Sequence, residues 1–122
     1  MSHAVDFDSE LGVIRVKHWG RADIEDLQRA FSKVMQLHEK HGTGDVILDL
    51  QGLDVAPPTM ELFEFASDLP VELQIAMVFG EHTHDDLRFI ETVAVNRGRN
   101  INLFDNDPDA LEWLGEQAPG QS

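Results

Sequence analysis

The chain has 122 residues, 42% hydrophobic and 26% charged, the size and balance of one soluble globular domain. Twenty-three acidic against nine basic side chains leave a formal charge of −14, which opposes nonspecific nucleic-acid binding and direct docking on anionic membranes. Cysteine is absent, which excludes disulfides, thiolate metal ligands and thiol nucleophiles, and no apolar run reaches the ~20 residues of a membrane span.

Residues His3 to Asp8 alternate weakly, with Ala4, Asp6 and Asp8 opposing His3, Val5 and Phe7. Glu10-Leu11-Gly12 reads as a turn, and Val13 to Trp19 as a second strand forming a hairpin with the first. After Gly20, Ala22-Asp23 opens a long amphipathic helix with an Asp cap. Ile24, Leu27, Phe31, Val34 and His38 share one face, supported by Ala30, Met35 and Leu37, and Gly42 and Gly44 end the helix. Asp45 to Leu50 has the continuous apolar core of a strand covered on both faces. A loop is expected through Gly52 and Asp54 to Pro57-Pro58, followed by a helix from Thr59 to Asp68.

Gln74 to Phe79 is a further apolar strand stopped by Gly80. Thr83 caps an expected helix through Arg97, with Asp85 and Asp86 in its first turn and Gly98 at its end. Asn100 to Phe104 forms the last strand. Asp107-Pro108-Asp109 starts a terminal helix carrying Leu111, Trp113 and Leu114, with a fraying tail after Gly115. The order β-β-α-β-α-β-α-β-α predicts an α/β fold, with a single mixed, mainly parallel sheet, an N-terminal β-hairpin and about four helices. It forms one domain over residues 1–122 with an ordered core of about 3–115. Right-handed crossovers align the loops after the third to fifth strands along the carboxyl edge, where open α/β sheets bind ligands and partners.

Several residues carry a family resemblance: Val46-Ile47-Leu48-Asp49-Leu50, then Ile75-Ala76-Met77-Val78-Phe79-Gly80, then Ile101 to Phe104 and Ala110 to Leu114. Over Val13 to Leu114 the chain resembles the SpoIIAA-like family, small STAS-type domains related in fold to anti-sigma-factor antagonists. In those antagonists, a Ser or Thr at the start of the helix after the third strand is phosphorylated to break partner binding. Thr59 stands nearest to that position, within Ala56-Pro57-Pro58-Thr59-Met60 rather than an Asp-Ser-Ser-Gly type motif. The SpoIIAA-like branch is also similar to Sec14-type (CRAL-TRIO) lipid-binding domains, which implies a hydrophobic ligand or a membrane-associated role.

The segment from Pro57 to Leu73 is the most informative about function. Met60, Phe63 and Ala66 form one apolar helical face, while Leu62, Phe65 and Leu69 form another. A surface helix needs one such stripe, so two imply burial, contact with a second subunit or partner, or an apolar pocket. Glu81-His82-Thr83-His84-Asp85-Asp86 lies on the expected carboxyl edge. Its two imidazoles could ligate a metal if Asp105 or Asp107 joined them, or make partner binding sensitive to pH, but the spacing matches no zinc signature. A capped polar loop explains the same residues. His38 and His41 lack His-Glu-x-x-His spacing, no Gly-rich phosphate loop occurs, and no serine has a nucleophile-elbow context.

The acidity reads first as a surface kept hydrated in salt, as a saline habitat would require, since lysine occurs only at Lys17, Lys33 and Lys40; the second reading is an acidic docking face. The resulting expectation is a noncatalytic cytoplasmic regulatory or protein-binding module without cofactor or metal, its partner another protein or a second copy. Candidate binding residues are Thr59, Met60, Leu62, Phe63, Phe65, Leu69, His82 and His84. The alternative is a carrier or sensor of an apolar, lipid-like small molecule, with the 59–68 helix as a lid.

Overall fold

The computed structural model describes residues 3–55, 58, 60–61, 64–65, 68–70, 72–79 and 100–117. The alternating N-terminal residues form β1 (His3–Asp8), which pairs antiparallel with β2 (Val13–Arg21) through a turn closed by the Gly12 N–H donating to the Asp8 carbonyl at 2.8 Å. Asp8 Oδ1 accepts from the Glu10 and Leu11 amides. Gly12 takes a φ of 69°, a left-handed conformation available to glycine without a Cβ penalty.

Helix α1 (Ile24–His41) starts where a capping box is written into the sequence. The Asp26 amide donates to Asp23 Oδ1 at 3.0 Å, and the Asp23 amide donates to Asp26 Oδ2 at 3.2 Å. Gly42 ends the helix at φ 72°, its amide donating to the His38 carbonyl. His38 Nδ1 lies 2.7 Å from the Thr43 carbonyl, and the His41 ring stacks on Phe7, so both histidines of the last turn secure the helix end.

The sheet has the order β1-β2-β3-β4-β5, with β3 (Asp45–Val55), β4 (Gln74–Phe79) and β5 (Asn100–Phe104). The β2–β3, β3–β4 and β4–β5 pairs are parallel, making one mixed five-stranded sheet. Strand β3 runs five residues past the expected Leu50, so Gly52 and Asp54 lie in strand rather than loop. The extension pairs with β2 across two register shifts, setting Trp19 opposite Gly52 and Arg21 opposite Val55. A Cβ at Gly52 would stand 3.0 Å from the Trp19 Cβ, so the residue that reads as a loop marker in fact permits a close strand approach.

Period-two alternation sends neighbouring residues to opposite faces. Ile14, Val16, Val46, Leu50, Ile75 and Met77 pack with Leu27, Ala30 and Val34 of α1 and with Leu69 and Leu73. Val13, Ile47, Ala76 and Val78 pack on the other face with Ala110 and Leu114 of α2 (Asp107–Gln117), which continues past Gly115. Arg15 ties the hairpin to the start of α2, donating to Asp8 Oδ2 at 3.1 Å and Asp107 Oδ2 at 3.0 Å. Of the other two expected helices, the segment after β3 has Met60, Glu61, Glu64 and Phe65 in helical conformation, and the one from Thr83 to Arg97 lies outside the described residues. None of the described helices is long and apolar enough to cross a membrane.

Gly44 has the tightest surroundings of the described glycines. A Cβ there would lie 2.5 Å from the Glu72 carbonyl oxygen, beside the hydrogen bond from the Gln74 amide to the Gly44 carbonyl. Gly44→Ala therefore costs on the order of 2 kcal/mol by forcing the β3 and β4 entries apart. Gly115→Ala meets nothing within 4 Å, lies inside α2, and raises stability by roughly 0.5–1 kcal/mol. Urea denaturation of both variants measures the two effects.

Candidate functional site

Two features on the α1 face of the sheet combine polar chemistry with burial. The first is an open cleft of about 390 Å³ between α1 and the segment following β3. Ile24, Gln28, Phe31 and Ser32 supply one wall, at the spacing that puts residues three and four apart on one helical stripe. Phe31 meets Phe65 edge to face with ring centroids 5.9 Å apart, an arrangement in which the positive ring edge faces the negative ring face.

Leu69 is buried beneath this aromatic pair, and Ile24, Phe31 and Phe65 are half-buried, so the floor is apolar. Glu61, Glu64 and Asp68 bring three carboxylates to the opposite wall, with Glu64 and Asp68 exposed and Glu61 half-buried. The Ser32 hydroxyl donates to the Gln28 carbonyl, back into its own helix, at 3.2 Å. Arg29, the guanidinium on the adjoining stripe of α1, lies 3.6 Å from both Glu25 and Asp26. The lining thus offers an apolar surface edged by negative charge. The chemistry suits recognition of a group that is apolar at one end and cationic at the other.

The second feature is a pair of imidazoles near the start of α1. His3 and His18 are partners across the β1–β2 ladder, with ring centroids 5.6 Å apart. His18 is 1% exposed and continues the inward series Ile14, Val16, His18 along β2. The Nδ1 atoms of both rings are buried without a hydrogen-bond partner. Burial, followed by the charge of neighbouring His3, lowers the His18 pKa from 6.5 to about 4, with buried Asp26 acting weakly in the opposite direction. Among the described residues, no group of three or more His, Asp or Glu is placed to hold a metal ion.

The expected binding residues divide sharply. Phe65 and Leu69 line the cleft, but Leu69 is core, so it anchors the segment to the sheet rather than presenting docking area. Met60 does not line the cleft and is 69% exposed. Thr59, Leu62, Phe63, His82 and His84 lie outside the described residues. The sequence places Ile24 and Phe31 on the apolar face of α1 without separating cleft from core, and the expected binding residues do not include Gln28, Ser32 or the acidic wall. The available signal was the spacing of Glu61, Glu64 and Asp68, which repeats at three and four residues alongside Phe65. The inward position of His18 was legible in the same way, from strict alternation after Ile14.

No family model and no curated protein matches the chain. Its fold is similar to that of a solved structure, an uncharacterized protein of the DUF3478 family with a SpoIIAA-like fold from Shewanella loihica PV-4. That likeness has a TM-score of 0.65 at 17% identity and covers 93% of each chain, so the fold is SpoIIAA-like.

The buried imidazole makes stability depend on pH with a definite sign. The unfolded chain binds a proton at His18 near pH 6.5 and the folded chain only near 4, so the unfolded state is favoured progressively as pH falls through this window. The contribution is complete above 6.5 and amounts to about 3 kcal/mol lost by pH 4. Asp8, held below its usual 3.8 by the Leu11 amide and Arg15, acts only at lower pH, while Asp45, raised by burial, opposes the trend. Denaturation from pH 7 to 4 thus yields a steep loss of stability in the wild type and a flatter profile in His18→Phe.

Proposed function

We propose that this protein is a noncatalytic regulatory module of the STAS type that works in the cytoplasm by docking a protein partner on the α1 face of its sheet. The observation that carries the reading is the open cleft with an aromatic floor and a carboxylate wall, built from α1 and the segment after β3. A partner side chain seated against Phe31 and Phe65 gains apolar burial, at ~25 cal/mol per Å² removed from water. The exposed carboxylates orient the approach and favour partners of opposite charge. The SpoIIAA-like fold supports the regulatory reading by analogy of architecture.

A second reading, a carrier of an apolar small molecule, rests on the cleft volume, which falls within the range of small-molecule sites. The acidic wall disfavours a fatty acid or anionic lipid headgroup there, because carboxylates side by side repel. The docking reading therefore stands first.

Native mass spectrometry of the protein isolated from its own cells, followed by denaturing extraction, separates the two. Docking predicts a second polypeptide, or a second copy, in the complex and no stoichiometric apolar molecule in the extract. A single chain carrying one lipid-like molecule transfers the assignment to the carrier. A bare single chain contradicts both.

A further inference from the structure

We infer that the cleft between α1 and the segment after β3 takes a basic amphipathic helix of a partner protein, an inference that rests on the docking reading above. The two sides of the cleft set opposite requirements. Phe31, Phe65 and Ile24 leave half-buried apolar surface that an occupant must cover with aliphatic or aromatic side chains. Glu61, Glu64 and Asp68 line the same cleft, so the occupant's flanking positions must carry Lys or Arg.

None of the described residues lining the facing wall is basic. Gln28 and Ser32 are uncharged, and the Arg29 guanidinium is engaged by Glu25 and Asp26 on its own helix. The whole chain strengthens the selection. With a formal charge of −14, it draws a cationic partner from a distance and repels a second copy of itself. The cleft is partly open to solvent, so it can admit side chains projecting from a larger element as well as a free molecule. A helix presenting apolar residues at positions three and four apart, flanked by basic ones, meets both walls at once.

The test uses the full chain and a soluble amphipathic helical peptide of leucine and lysine, with the same peptide carrying glutamate for lysine as its counterpart. Isothermal titration should give 1:1 binding of the lysine peptide, weakening as salt rises, and no binding of the glutamate peptide. The triple variant Glu61→Gln, Glu64→Gln, Asp68→Asn should bind the lysine peptide at least about tenfold more weakly. A control triple with the same change of charge, Asp6→Asn, Asp54→Asn, Glu112→Gln, alters exposed residues elsewhere and should bind like the wild type. Phe65→Ala should also lose binding, and the charge variants remain informative if that substitution unfolds the chain.

Equal weakening by the two triples means attraction to the acidic surface as a whole and overturns the inference. So does unaltered binding to the cleft triple, or no binding by the wild type. In those cases a polypeptide recovered in the native complex leaves the docking reading intact, whereas a recovered lipid removes both.

Discussion

Strand β3 is the constraint on which the rest of the molecule depends. Val46 and Leu50 project into the α1 layer, Ile47 projects into the α2 layer, and all three are buried. A strand covered on both faces has to be flanked on both edges, and β2 and β4 supply parallel partners for it. That arrangement fixes where α1 begins and ends, since it must cross from the end of β2 to the start of β3. It also fixes the exit of the chain from β3, which returns on the same side and leaves the cleft between itself and α1.

The cleft follows from what these two segments lack as much as from what they share. Leu69 and Leu73 are deep enough to anchor the returning chain. Phe65 meets α1 edge to face at Phe31, and the described residues that line the cleft opposite its acidic neighbours include no basic side chain. An apolar contact made halfway and then bordered by like charges is a poor way to close a core. It is a reasonable way to keep a surface selective, because apolar contact supplies affinity while the carboxylates reject anionic competitors. The buried imidazole of His18 lies on the same sheet face and couples the stability of that face to pH through desolvation.

Much of this architecture is legible in the residues. The alternation of His3 to Asp8, the Asp23 cap, Gly42 at the helix end and the apolar runs of β3 and β4 each express local physics, and each is found as read. The bounds fail where tertiary pairing decides. Gly52 and Asp54 have loop chemistry, yet β3 continues through them because β2 extends to Arg21 and offers backbone partners. The site was only half legible for a similar reason. Periodicity identifies Phe65 and Leu69 as apolar but does not say that Leu69 is core and Phe65 half-covered, and it merges Phe31 with the buried residues of its own helix. Which acidic residues share a cleft with them depends on how two segments cross, a property of packing rather than of spacing.

The central claim is that recognition is confined to this cleft rather than spread over an acidic surface. The most direct measurement is amide and methyl chemical-shift mapping of the isotopically labelled protein during titration with the leucine–lysine peptide. The account predicts shifts concentrated at Ile24, Gln28 and Phe31 on α1 and at Glu61, Glu64, Phe65, Asp68 and Leu69 opposite, with α2 and the β1–β2 turn unmoved. Shifts distributed over Asp6, Asp54 and Glu112 as strongly as over the cleft would contradict it.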